Sequence, residues 1–188
     1  MGRVSGMQRG FFLLLAMSVV VALTAAAVFL YGRTPVDDAP LIESFEECAA
    51  AGYPVAVSYP LQCRTPDGRM FVEDIGNSLE KEDLIRLTLP RPNDIVTSPL
   101  VLEGEARGFW FFEASFPVRL EDEEGTVFAQ HYAQAEDEWM TEEFVPFRSE
   151  FVFAQPISGR GRLILEKDNP SGLPEHADAL VVPVRFGE

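Results

Sequence analysis

Two hydrophobic rhythms divide the chain. From Phe11 to Tyr31 the residues are apolar apart from Ser18 and Thr24. From Asn93 onward apolar and polar residues alternate, the period of a strand whose two faces meet different surroundings. In "GFWFFEASFPVRL" the even positions are Trp110, Phe112, Ala114, Phe116, Val118 and Leu120, and the odd ones include Glu113, Ser115, Pro117 and Arg119. The pattern predicts one strand with its even face in a core. Similar alternation recurs over 100–105, 126–134, 147–153, 161–167 and 180–186, with turn signals at Asp122–Gly125, Ser158–Gly159 and Asn169–Gly172. Six or seven short strands over 93–187 predict a mainly β fold, a β-sandwich whose two inner faces cover each other. Phe112, Phe116, Phe151, Phe153, Leu163, Leu165, Val182, Val184 and Phe186 are the expected core. Phe109 and Phe111 break the alternation, which leaves two readings open: the edge of the core, or an exposed aromatic contact patch.

The N-terminal rhythm has a different meaning. A 21-residue apolar run at 1.5 Å per residue spans roughly the ~30 Å of a bilayer core. Arg3 and Arg9 precede it and Asp37 and Asp38 follow, an asymmetry that keeps the N-terminus cytoplasmic and exports the rest. Residues 1–33 are therefore expected to be a transmembrane anchor, with membrane contact through 11–31. The alternative is a signal sequence cleaved after the small residues Ala25–Ala27, which would leave a secreted or periplasmic protein. Residues 34–43, with two prolines and two aspartates, read as an extended linker.

Residues 44–76 form a small segment around the two cysteines of the chain, Cys48 and Cys63. Ser44 with Glu47 three residues later makes a capping-box pattern, and Gly52 with Pro54 ends the helix it starts after about two turns. In an exported chain such a pair is expected to form a disulfide, and two cysteines alone do not complete a tetrahedral zinc site. Residues 77–92 read as a polar connector ending at Pro90-Arg91-Pro92.

Charge narrows the partners. All 30 acidic residues follow Gly32, and 12 of the 15 basic ones lie beyond Arg33, so the exported part is strongly acidic. That surface repels phosphate backbones and no basic stripe interrupts it, which excludes nucleic acid as a partner. Catalytic signals are sparse. His131 and His176 are the two histidines, and Ser98, Ser115, Ser149, Ser158 and Ser171 are scattered without a G-x-S-x-G turn or an H-E-x-x-H motif. The acidic run Glu121–Glu124 lacks the spacing that arrays oxygens around calcium and reads as a hairpin turn. No catalytic, metal or cofactor residue is assigned, and no cofactor is expected.

The run from "PRPNDIVTSPLVLEGEARGFWFFEASFPVRL" through "NPSGLPEHADALVVPVRF" resembles the immunoglobulin-like domain of bacterial spore-germination proteins. The likeness covers Pro90–Phe186 and rests on Ser98–Leu100, Gly104–Pro117 and Asn169–Gly172. It implies an immunoglobulin-like sandwich on a membrane-anchored or exported bacterial protein, and it supplies no catalytic residues. The segment "FEECAAAGYPVAVSYPLQCRTPDG" resembles a short Cys-pair motif of exported bacterial proteins. The expectation is a non-enzymatic protein of the bacterial cell envelope, linked to germination by the resemblance alone, that contacts an envelope protein or a cell-wall polymer. Phe109, Phe111 and Trp139 are its candidate contact residues. A carbohydrate-binding module built on those aromatics is the first alternative and an envelope hydrolase the second.

Overall fold

In the computed structural model, residues 41–154 and 159–187 are described. The apolar run at 11–31, most of the linker and Ser158 lie outside them. Among the described residues no helix is long and apolar enough to cross a membrane. Nearly all of them belong to one compact unit, Glu43–Glu188.

Local chemistry at Ser44 starts the first helix, α1 (Phe45–Ala50). The Ser44 hydroxyl accepts the Glu47 N–H at 3.1 Å, while the Glu47 carboxylate reaches back to the Glu43 N–H at 2.7 Å. Two otherwise orphaned amide donors are thereby satisfied. Gly52 leaves the helix at φ +79°. Three short strands follow, β1 (Val55–Ala56), β2 (Gln62–Arg64) and β3 (Met70–Val72), in a three-stranded antiparallel sheet. The disulfide joins α1 to β2 through Cys48 and Cys63, both fully buried.

The stretch read as a polar connector, 77–92, instead contributes a short helix, α2 (Ser78–Lys81), and a strand, β4 (Ile85–Leu89). Beyond it run β5 (Ile95–Val96), β6 (Leu100–Arg107), β7 (Ser115–Asp122), β8 (Val127–Ala135), β9 (Phe144–Phe151), β10 (Gly159–Glu166) and β11 (Ala179–Phe186). The hydrogen-bonded order is β4-β6-β9-β8-β7-β10-β11-β5, antiparallel except for the parallel pairing of β5 with β11. Strand β8 pairs along most of its length with β7 but meets β9 only at Gln134↔Arg148 and Ala135↔Phe147. There the sheet doubles over. Phe116 of β7 and Phe147 of β9, which are not paired neighbours, pack edge to face at 4.9 Å, and Ile85 of β4 lines one crevice with Leu180 of β11. Two layers face each other, as the alternation predicts.

Trp110, Phe116, Phe147, Leu102, Leu120, Leu163 and Leu165 are fully buried between the layers. Each contributes about 1.5–3 kcal/mol on burial. The Cys-pair segment is fastened to this sandwich along β11. Asn77 exchanges backbone and side-chain hydrogen bonds with Ala179 and Val181, and the Asn93 amide donates to the Asp74 carbonyl at 2.8 Å. Gly76, at φ +64°, makes the close approach possible, because a Cβ there would sit 1.9 Å from the Val181 oxygen.

Candidate functional site

The quoted aromatic stretch is not one strand. After β6 the chain makes a single 3₁₀ turn at Gly108–Trp110, where a Cβ on Gly108 would lie 2.0 Å from the Thr141 oxygen and 2.3 Å from the Trp139 oxygen. Phe112 and Ser115 then exchange backbone hydrogen bonds of 3.0 and 3.1 Å around Glu113 and Ala114. Both central residues are left-handed, at φ +49° and +61°, the backbone of the tightest hairpin turns. Neither is Gly, Asn or Asp, so each carries a cost of about 1–2 kcal/mol. The arm at 109–112 is thus folded back on β7 instead of continuing it.

This reversal corrects two expectations. Phe112, assigned to the core by alternation, is 43% exposed, whereas Phe111, a candidate contact residue, is only 4% exposed and packs edge to face on Phe116 at 5.2 Å. Phe111 therefore offers little exposed surface for a contact. Phe109 is half exposed, and the Lys167 ammonium lies 5.8 Å from its ring centre. Trp139 is partly buried against the core and helps to hold the arm from behind Gly108.

The connection between β10 and β11 meets this arm. The Asp168 N–H donates to the Trp110 carbonyl at 3.0 Å, which pins the start of the loop to the aromatic arm. The loop then closes on itself. Gly172 N–H donates to the Asn169 carbonyl at 3.0 Å, the Asn169 side-chain amide donates to the Leu173 carbonyl at 2.8 Å, and the Ser171 hydroxyl donates to Asn169 Oδ1 at 2.5 Å. A short 3₁₀ turn at Pro174–His176 completes it. Between arm and loop lies an open cleft of about 400 Å³, flanked by Phe109, Phe112, Lys167, Asp168, Asn169 and His176. Burial raises the Asp168 carboxyl above its ordinary value; the backbone amide of Asn169 opposes the shift and the nearby Glu113 charge adds to it.

The hydroxyl–imidazole pairs have a clear hydrogen-bond logic. With its Nδ2 bound to Leu173, Asn169 turns Oδ1 towards Ser171, so the Ser171 proton is committed there, and His176 Nδ1, 3.0 Å from that hydroxyl, is the donor. The second pair is His131 and the buried Ser149. His131 Nδ1 lies 2.9 Å from the Tyr132 carbonyl, which only accepts, and the Ser149 hydroxyl donates to the same carbonyl at 2.9 Å. Neither imidazole presents a lone pair to its serine, which general-base activation requires. Glu121, read as part of a solvated turn, is instead buried and shared between Arg119 and Arg162 at 2.8 and 3.0 Å. Among the described residues no group of three or more His, Cys, Asp or Glu is placed to hold a metal ion.

Phe109 thus remains exposed at the site, Phe111 lines the cleft while almost wholly buried, and Trp139 packs partly buried against the core. Phe112, Lys167 and Asp168 were missed. The signal for Phe112 was masked by its even position, and nothing local in sequence says that residues 168 and 110 touch.

Residues 84–172 match the family described as the immunoglobulin-like domain of bacterial spore germination. The match takes in β4, the aromatic arm and the Asn169–Gly172 turn. No curated protein and no solved structure matches the chain.

Proposed function

We propose that this chain, whose residues 84–172 match the immunoglobulin-like domain of bacterial spore germination, is a non-enzymatic protein of the bacterial cell envelope, held by residues 11–31 or released after their cleavage. Its sandwich makes contact with an envelope protein or a cell-wall polymer through the end that carries Phe109, Phe112 and the 167–176 loop. The single observation that carries this reading is the meeting of two half-exposed phenylalanines with a self-locked loop beside a strained turn. Backbone strain at non-glycine residues is retained where the surrounding structure enforces it, commonly at functional surfaces. Loops on a rigid sandwich are also where such domains recognise ligands.

Export is supported by the continuous apolar run and by a disulfide, which persists in oxidising compartments. The experiment is site-specific photo-crosslinking of the full chain in its own cells, with the crosslinker at Phe109 and, as a control, at Tyr59 on the Cys-pair segment. An adduct at 109 that is absent at 59 is expected. Equal labelling at both positions, or none at 109, refutes the contact surface.

A further inference from the structure

The chemistry of the same cleft points to one class of ligand. Resting on the contact-surface reading above, we propose that the cleft between the Phe109–Phe112 arm and the Lys167–His176 loop binds a neutral oligosaccharide, with its pyranose rings against the two exposed phenyl faces.

Three observations favour a sugar chain. Phe109 and Phe112 are 50% and 43% exposed while Trp110 and Phe111 between them are buried, so the arm keeps two rings in solvent and anchors itself with the other two. An apolar ring face suits the C–H face of a pyranose. The rim supplies both kinds of hydrogen-bonding group that vicinal hydroxyls need: the Lys167 ammonium donates, and the Asp168 carboxyl and the His176 ring carry acceptor and exchangeable sites. The volume, about 400 Å³, falls in the range of roughly 300–1,000 Å³ found for small-ligand sites.

Charge selects against the alternatives. The chain has a formal charge of −15, so a polyanionic wall polymer is repelled at long range. A cationic ligand is drawn by the net charge at long range but meets the Lys167 ammonium at the rim. A folded protein partner buries about 800 Å² per side over a broad surface, whereas here the exposed apolar surface is confined to one small cleft beside Phe109 and Phe112. A neutral polyhydroxyl chain incurs none of these penalties.

The probe is the tetramer of β-1,4-linked N-acetylglucosamine, titrated into the full chain by calorimetry and by ligand-observed NMR. Saturable binding is expected, with at least a tenfold loss of affinity in the Phe109→Ala/Phe112→Ala double variant and no change in Tyr59→Ala. Melting temperatures of all three proteins are compared, so that a folding defect is not mistaken for a lost site. Binding that survives the double variant overturns the proposal. So does an absence of binding both to the tetramer and to glycan strands freed of peptide and anionic polymer. If the crosslinked adduct at 109 persists in that last case, the ligand class falls and the contact surface stands; if the adduct is absent as well, both fall.

Discussion

Asn77 is joined to Val181 twice: its backbone N–H donates to the Val181 carbonyl at 3.2 Å, and its side-chain Oδ1 accepts the Val181 N–H at 2.8 Å. A residue 104 positions away in sequence thereby continues the edge of β11 as a strand would. The Cys-pair segment is built onto the sandwich by this contact and by Gly76 beside it.

Replacing Asn77 with Ala removes the two side-chain bonds and leaves the Val181 amide without its acceptor, a loss of about 1–3 kcal/mol. Gly76→Ala drives a methyl into the Val181 oxygen and is the more damaging change, whereas Gly172→Ala, also at positive φ but with open space around it, costs only about 1 kcal/mol. Urea unfolding of the three variants gives the order. Hydrogen exchange at Val181 is accelerated in the first two and unchanged in the third.

The turn at Glu113 and Ala114 places two unsuited residues in left-handed backbone. Glu113→Asn with Ala114→Gly supplies the pair such turns favour and raises stability by about 1 kcal/mol. A higher denaturation midpoint at unchanged slope is the expected result.

Burial separates two adjacent positions in the aromatic arm. Phe111→Ala empties a site in the core and costs about 3–5 kcal/mol. Phe109→Ala, at a half-exposed ring, changes stability by about 0.5 kcal/mol or less. Equal effects in thermal melts contradict the folded-back arm.

The disulfide closes a loop with a sequence separation of 15. Cys48→Ser with Cys63→Ser weakens the small segment by roughly 3 kcal/mol in the chain-entropy treatment. Because the sandwich has its own core, the expected outcome is loss of exchange protection in 44–76 with the β signal in circular dichroism retained.

Two aspartates give opposite dependences on pH. Desolvation raises Asp168 above its ordinary value of 3.8, so its folded state binds the proton more tightly; that stability is full below about pH 3.8 and is lost as pH rises through the folded value. Asp67 is lowered by the Thr65 hydroxyl and then by Arg69, so its contribution is present above 3.8 and lost as pH falls. Stability relative to Asp168→Asn therefore declines with rising pH, and stability relative to Asp67→Asn increases, when each pair is unfolded across the acidic range.

Much of the fold was legible because alternation and capping are local. Leu163, Leu165, Val182, Val184 and Phe186 are buried where the period of two places them, and Ser44 caps the helix that its spacing to Glu47 predicts. The exceptions depend on distant partners. Strand β4 carries only three apolar positions, Ile85, Leu87 and Leu89, in a polar stretch, and becomes a strand because β6 offers an edge with Ile85↔Ala106 and Leu87↔Gly104 in register. The arm at 109–112 kept a strand-like pattern through a turn with no Gly or Asn to mark it. The cleft was least legible of all, since Lys167 and Asp168 reach Phe109 and Trp110 only through tertiary folding.

The proposed contact surface requires that the exposed rings of Phe109 and Phe112 serve as working surface rather than support, and the most direct test measures both properties in one protein. Phe109→Ala/Phe112→Ala is expressed as the full chain, and its melting temperature is compared with its retention on isolated, crosslinked envelopes. A melting temperature within about 2 °C of the parent, as expected for surface changes of about 0.5 kcal/mol or less, together with lost retention on those envelopes, is the result that the proposed contact surface predicts. Retention equal to the parent, or a collapse in stability, contradicts it.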